Sequence, residues 1–159
     1  MFRAIHKHKR YQISLVNVYG KAGIVAFFDT GAVSTIISVE SLAGEDIDKE
    51  KLASELRKTG KEQVFYSASG NEMHGYLVCA PDVSISGMKI KQFYYYLIVD
   101  VDDNLALLGN DFISYCNFTH KQEDDIMVSS FDYEKYCLHY EAKGRCGNIN
   151  EILELSIKK

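Results

Sequence analysis

The stretch AFFDTGAVSTIIS, residues 26–38, poses the deciding question. An apolar run over residues 25–28 stops at Asp29-Thr30-Gly31, and a second apolar run resumes at once. A carboxylate in that setting is either a turn or a chemical tool. Asp and Gly are ordinary turn residues, and Asp-Thr-Gly is short. The flanks weigh the other way. An aspartate between two strand-like segments is expected to be partly buried, and a buried carboxylate is costly unless donors surround it. The Thr30 hydroxyl and a nearby backbone N–H are candidate donors, and Gly31 lets the backbone approach closely.

Outward from this stretch, β-type patterning prevails. Eleven Tyr and eight Phe, with many Val and Ile, favour strands. In YQISLVNVYG (11–20), Tyr11, Ile13 and Leu15 alternate with Gln12 and Ser14. The apolar face then switches to Val16 and Val18, as a bulge near Leu15-Val16 or burial of both faces would explain. A tight turn around Gly20-Lys21 leads into residues 22–29, apolar on both faces and so placed inside the fold. Residues 33–38 read as a third strand. The period then changes: residues 46–60 read as a helix. Asp48 stands at its N-cap, Ile47 and Leu52 at staple positions, and Gly60 at its end. Leu52, Ala53 and Leu56 form its apolar stripe.

Strands return at 62–68 and 72–80 around Ser69-Gly70-Asn71, and at 82–86 and 88–100 around Ser86-Gly87. Residues 106–113 close the series, followed by a hairpin of 116–120 and 126–132 around an acidic turn. Pro81 is expected at a strand start, where its missing N–H matters least. In the tail, DYEKYCLHY reads as a helical turn or a strand, and INEILELSIKK as a short helix with Ile149, Ile152 and Leu153 on one side. The expected architecture is mostly antiparallel and barrel-like, with one or two helices.

Composition narrows the function classes. The chain has 159 residues, 47% of them apolar and 25% charged, which fits one domain with a real core. A net charge of −4 gives no reason to expect nucleic acid or an anionic membrane as partner. The one basic cluster, HKHKR at 6–10, reads as a solvated strand end or terminal arm. No apolar run reaches the length of a membrane span, and the start lacks a long apolar signal region, so a cytoplasmic protein is expected. Four scattered cysteines without a CxxC pair fit that expectation.

AFFDTGAVSTIIS resembles the active-site strand–loop–strand of the retropepsin-like aspartic proteases, whose signature is Asp-Thr/Ser-Gly-Ala/Ser inside apolar strands. Two further stretches match in order. VFYSASGNEMHGY (64–76) is similar to their flap hairpin, and LALLGNDFI (105–113) to their late apolar-apolar-Gly-x-Asp motif. The resemblance implies an all-β closed barrel over residues 1–131. A short helical insertion interrupts it, and a C-terminal extension (132–159) packs on the same domain. It further implies peptide-bond hydrolysis by water held between two aspartates, one from each subunit of a homodimer. This chain has a single DTG, so an active form must dimerise. The two carboxylates would share one proton.

By the same resemblance Asp29 would be catalytic, Thr30 would brace the two active-site loops, and Gly31 would offer backbone to the substrate. Ala32, Ser69, Gly70, Asn71 and Leu108 would meet the substrate, and Leu107, Leu108 and Gly109 would pack under the loop. Asn110 stands where retroviral members often carry an arginine. The partners implied are a peptide or protein substrate and a second copy of the chain. A catalytically inactive peptide-binding or dimerisation module on the same fold is the alternative, and an unrelated β domain with DTG as a turn is the third.

Other constellations carry less. Cys137, His139 and Cys146 have possible metal spacing but no strong fourth ligand. His6 and His8 read as a solvated terminus, and His74 as an exposed strand residue or a pH-tuning group. The acidic runs at 100–103 and 121–126 lack EF-hand spacing and read as solvated turns. There is no Walker loop and no GxGxxG, and no cofactor or metal is expected. Val33, Ile36 and Leu77 are expected to line substrate pockets.

Overall fold

The structure, a computed structural model, describes residues 1–7, 10–19, 23–59, 61–120, 125–144 and 146–159. Among these, eleven strands make one continuous sheet. They are β1 (Phe2–Lys7), β2 (Arg10–Val16), β3 (Gly23–Phe28), β4 (Ile36–Ser38), β5 (Glu62–Tyr66) and β6 (Glu72–Ile85), then β7 (Met88–Ile98), β8 (Ala106–Leu108), β9 (Cys116–His120), β10 (Ile126–Phe131) and β11 (Gly147–Asn148). Five helices decorate it: α1 (Val39–Leu42), α2 (Lys49–Thr59), α3 (Asn110–Ile113), α4 (Tyr133–Glu141) and α5 (Ile149–Glu154).

A ring runs β6–β7–β4–β8–β3–β2 and is closed where β2 returns to β6, with Leu15 opposite Ile85 and Val16 opposite Ser84. Closure removes the open edges that a flat sheet would expose. Most pairings are antiparallel, but β3–β8, β4–β7 and β11–β6 run parallel. The fold is thus an all-β closed barrel with short helices.

Alternation explains the individual strands. In β2, Ile13 and Leu15 are buried while Ser14 and Val16 are exposed. Neither explanation offered for the face switch holds: β2 pairs with β3 in unbroken register from Gln12↔Phe27 to Val16↔Gly23, and Val16 is exposed. Val18 is buried because the chain leaves the strand at Asn17, whose φ of 63° turns the backbone. In β3, Ile24, Ala26 and Phe28 point inward, whereas Val25 is 62% exposed. Residues 23–28 are therefore not buried on both faces, against the expectation; β3 is interior to the sheet order but keeps one outer face.

Other expectations also shift. The third strand is only Ile36–Ser38, and residues 106–113 break into β8 and α3. Pro81 lies inside the long β6, where that strand's second edge passes from β11 to β2. A strand not anticipated, β1, buries Phe2 and Ala4 and pairs with both β2 and β10. The hairpin of β9 and β10 is present. Asp125 beside its turn is buried rather than solvated, and accepts from Arg3 and from the His6 N–H at 3.3 Å. The turns at Gly20-Lys21, Gly60, His8 and residues 121–124 lie outside the described residues.

The helical insertion starts as the sequence reads. The Asp48 carboxylate accepts from the N–H groups of Glu50 (3.1 Å) and Lys51 (3.2 Å), filling the orphan donors of α2. Leu52 and Leu56 are fully buried. The tail forms α4 and α5. Tyr136 and Tyr140 of α4 are buried in the same core as the barrel; Tyr140 stacks on Tyr94 at 4.5 Å, and Tyr136 meets Phe112 edge-on at 5.5 Å. Each such buried aromatic contributes about 2 kcal/mol of transfer free energy. Beyond α5, Ser156 O accepts from the Asp48 N–H and Asp46 O from the Lys158 N–H, both at 2.8 Å, tying the tail to the insertion.

Candidate active site

The parity of β3 aims Asp29. Ile24, Ala26 and Phe28 face the core, so Val25, Phe27 and the next alternate residue, Asp29, face out. The Asp29 N–H donates to Leu108 O at 3.0 Å, extending the parallel β3–β8 ladder by one rung. The chain then turns back: Ala32 N–H reaches Asp29 O at 3.1 Å, and Gly31 N–H reaches the carboxylate Oδ1 at 2.9 Å. Gly31 leaves room for this, since a Cβ there would sit 3.2 Å from Oδ1. Among the described residues no other hydrogen bond to the Asp29 carboxylate is formed, and the residue is half-buried. Thr30 is exposed, and its backbone carbonyl accepts from Asn110 Nδ2 at 2.6 Å.

A second loop holds the first from behind. Gly109 packs flat against it: a Cβ there would come within 2.5 Å of the Ser34 backbone. Asn110 N–H donates to Ala32 O (2.8 Å) and Asp111 N–H to Val33 O (3.1 Å). The Asp111 carboxylate is buried and saturated. It accepts from the Thr35 N–H (3.0 and 2.9 Å to its two oxygens), from Thr35 Oγ1 (2.6 Å) and from the Tyr140 hydroxyl. Thr35 Oγ1 in turn accepts from the Gly109 N–H at 3.1 Å. Burial, then the Asp111 charge, pushes the Tyr140 phenol far above its usual range, so it stays a donor.

Asp29 opens into a cleft of about 530 Å³ whose apolar walls include Val33, Ile36, Phe65, Met73, Leu105 and Leu107. Val33 is 81% exposed and Tyr66, across the cleft, 66%. The roof is the β5–β6 hairpin, held beside its turn by Phe65 packed edge-on to Tyr96 at 5.2 Å. On the other side of Asp29 lies a smaller hollow of about 320 Å³ between Arg10, Tyr11, Phe27 and Thr30. A wider depression of about 850 Å³ beside Glu40, Asp48 and Lys158 lies away from Asp29, so chemistry and not size selects the site.

Of the residues expected at the site, Asp29, Gly31 and Ala32 line the cleft. Ser69, Gly70 and Asn71 form the hairpin turn, where Gly70 N–H bonds Ser67 O (2.9 Å) and Asn71 Nδ2 bonds Ser69 Oγ (3.3 Å); the cleft walls come from Phe65 to Ala68 instead. Leu108 is fully buried behind the loop; Leu107, of opposite parity, takes the cleft position. Leu77 is likewise in the core.

Pairings that sequence reasoning missed brace the hairpin and loop. His74 at the hairpin root bonds Asp100 through its N–H (2.8 Å to Oδ1) and Nδ1 (2.7 Å to Oδ2), with Glu62 and Glu72 each 3.8 Å from Nε2. The Asp100 bond, with the nearby carboxylates, raises the His74 pKa above its ordinary value. Thr35 sits inside the quoted stretch and Asp111 inside the late motif, but nothing in the sequence pairs either with Tyr140 in the tail.

No family model matches this sequence, and no curated protein does. Solved structures do match: a crystal structure of a retropepsin-like aspartic protease from Rickettsia conorii aligns with a TM-score of 0.54 at 20% identity, over 79% of this chain and 95% of that chain. The likeness establishes that this chain has the retropepsin-like fold. No helix among the described residues is long and apolar enough to cross a membrane.

Proposed function

We propose that the chain, starting from its retropepsin-like fold, acts as an aspartic endopeptidase whose working unit is a homodimer with Asp29 of each subunit meeting across a two-fold axis. The observation that carries this reading is the Asp29 carboxylate itself. It is held by one backbone donor on a doubly braced loop, half-open to an apolar cleft roofed by a hairpin. Two such carboxylates brought together cannot both ionise, so they share a proton. The ionised one takes a proton from a bound water while the protonated one donates to the substrate carbonyl oxygen. No covalent intermediate, metal or cofactor takes part.

The hairpin edge pairs with an extended peptide and closes over it, excluding water. Thr30, exposed at the loop apex, braces the partner loop, and Gly31 and Ala32 present backbone to the substrate. Ser69, Gly70 and Asn71 meet the substrate when the hairpin closes. Apolar walls at Val33, Ile36 and Leu107 favour apolar side chains flanking the scissile bond. The expected setting is the cytoplasm, with peptide or protein substrates and no nucleic acid.

The test is Asp29→Asn assayed on a peptide library by mass spectrometry, with sedimentation to follow the dimer. Cleavage is expected to fall by about 10³-fold or more with the dimer retained. Equal cleavage by parent and variant contradicts the reading. A dimer that binds peptides while neither protein cleaves them identifies the inactive module instead.

A further inference from the structure

Away from Asp29, three thiols gather where the C-terminal extension meets the barrel. Strand β11 joins β6 in parallel, with Gly147 opposite Val78 and Asn148 opposite Cys79. Cys146 immediately precedes β11, which sets it beside the stretch of β6 that carries Cys79. Each thiol perturbs the ionisation of the other, and both residues are half-buried. On the other edge of β6, Cys79 faces Tyr94 of β7, the ring that stacks on Tyr140. Cys137 of α4 also lies near Tyr94 but is engaged by the Tyr133 hydroxyl. Cys116 is remote and buried.

The pair is chemically asymmetric. The hydrogen bond from Cys79 favours the Cys146 thiolate and lowers that thiol to about 7. The same bond, followed by burial, pushes Cys79 well above the ordinary range, so Cys79 keeps its proton while Cys146 ionises. Burial alone pushes Cys116 to about 12. One thiol therefore ionises in part near neutral pH beside a protonated one, the arrangement of an attacking and a resolving cysteine.

We propose that Cys146 and Cys79 form a dithiol–disulfide site, with Cys146 the attacking thiolate, Cys79 the resolving thiol and a small-molecule disulfide the oxidant. The Cys146 sulfur attacks one sulfur of R–S–S–R; a Cys146–S–S–R bond forms and the thiolate RS⁻ leaves and takes up a proton. Cys79 then loses the thiolate that held its proton, gives that proton to solvent, and attacks the Cys146 sulfur. The second RS⁻ departs and is protonated. In sum the two cysteines lose two protons and two electrons, and one R–S–S–R becomes two RSH. The product ties the extension ahead of α5 to β6, the strand whose first residues form one arm of the hairpin above Asp29. In a reducing compartment such a bond is transient and reports the thiol poise, unlike a permanent staple.

The site is independent of any peptidase activity and is tested on the full chain with oxidised glutathione as the probe, followed by peptide mapping. The expected product is a Cys79–Cys146 disulfide, reversed by dithiothreitol. Cys79→Ser is expected to stop at a glutathione adduct on Cys146, and Cys146→Ser to leave Cys79 unmodified. A readout without substitution covers the case of variants that do not fold. At pH 7, iodoacetamide is expected to label Cys146 at least about fivefold faster than Cys79, whose proton is held more firmly. A principal disulfide through Cys137 or Cys116, or equal labelling of Cys146 and Cys79, overturns the proposal.

Discussion

Two aspartates, Asp29 in the loop after β3 and Asp111 in the first turn of α3, are treated in opposite ways. Asp111 is 5% exposed and accepts from the Thr35 N–H, the Thr35 hydroxyl and the Tyr140 hydroxyl. Asp29 is half-open and accepts from one N–H. A carboxylate whose lone pairs are filled is a structural anchor; one left underfilled retains capacity for a proton, a water or a second carboxylate. The two are joined mechanically. The Asp111 N–H holds Val33 O, its side chain holds Thr35, and Gly109 lies against Ser34, so the anchored loop fixes the backbone that follows Asp29. The lesson is that the fold spends its donors on the aspartate that does no chemistry and withholds them from the one proposed to do it.

The sharpest way to break this contrast is the same substitution at both positions. Asp29→Asn is expected to abolish cleavage with little change in Tm. Asp111→Asn turns an acceptor into a group with a donor facing the Thr35 N–H, and is expected to cost about 3 kcal/mol. For a chain of this size that lowers Tm by roughly 6–12 °C, read by calorimetry. Equal Tm losses in the two variants would erase the distinction.

Gly109→Ala comes next. Its Cβ would sit 2.5 Å from backbone atoms of Ser34, which no rotamer relieves, so a loss of about 2 kcal/mol is expected, with reduced cleavage as the Asp29 loop shifts. Tyr140→Phe removes one of the donors to Asp111 while keeping the ring stacked on Tyr94, and is expected to cost about 1 kcal/mol in urea unfolding. A null result there would show that the tail packs on the anchor without supporting it.

The smallest effect concerns the hairpin root. The Asp100 bond raises the folded pKa of His74, so its contribution to stability is full below the unfolded value near 6.5 and is lost as pH rises through the folded one. Burial works against the Asp100 charge, but the His74 bonds prevail and hold its pKa below the ordinary value; that contribution is lost at the acid end, as pH falls through the folded pKa. Asp100→Asn is expected to move the His74 titration, followed by NMR of its ring, down toward 6.5. An unmoved titration would mean that Glu62 and Glu72 alone set it.

How far the sequence could be read follows from the range of each interaction. Strand alternation, the Asp48 cap and the two hairpin turns at Ser69-Gly70-Asn71 and Ser86-Gly87 are local patterns, and they hold in the structure. The DTG stretch and the late Gly-x-Asp motif were visible as motifs, and the fold followed from their order. Face assignment failed where apolar residues stand on both sides of a strand: Val25 is exposed despite its hydrophobicity, and Leu107, not Leu108, reaches the cleft. The helix α3 was hidden because Phe112 and Ile113 continue an apolar run, and only the Gly109–Ser34 contact shows why the strand must stop at Leu108. Asp111–Tyr140 and His74–Asp100 join residues 29 and 26 positions apart, with no periodicity to announce them.

The most direct measurement mixes parent and Asp29→Asn subunits in varying ratio, allows exchange, and records peptide cleavage against the parent fraction. If each site needs an Asp29 from both subunits, activity falls as the square of that fraction. A straight-line decline would mean that each chain works alone, and would contradict the shared-aspartate account.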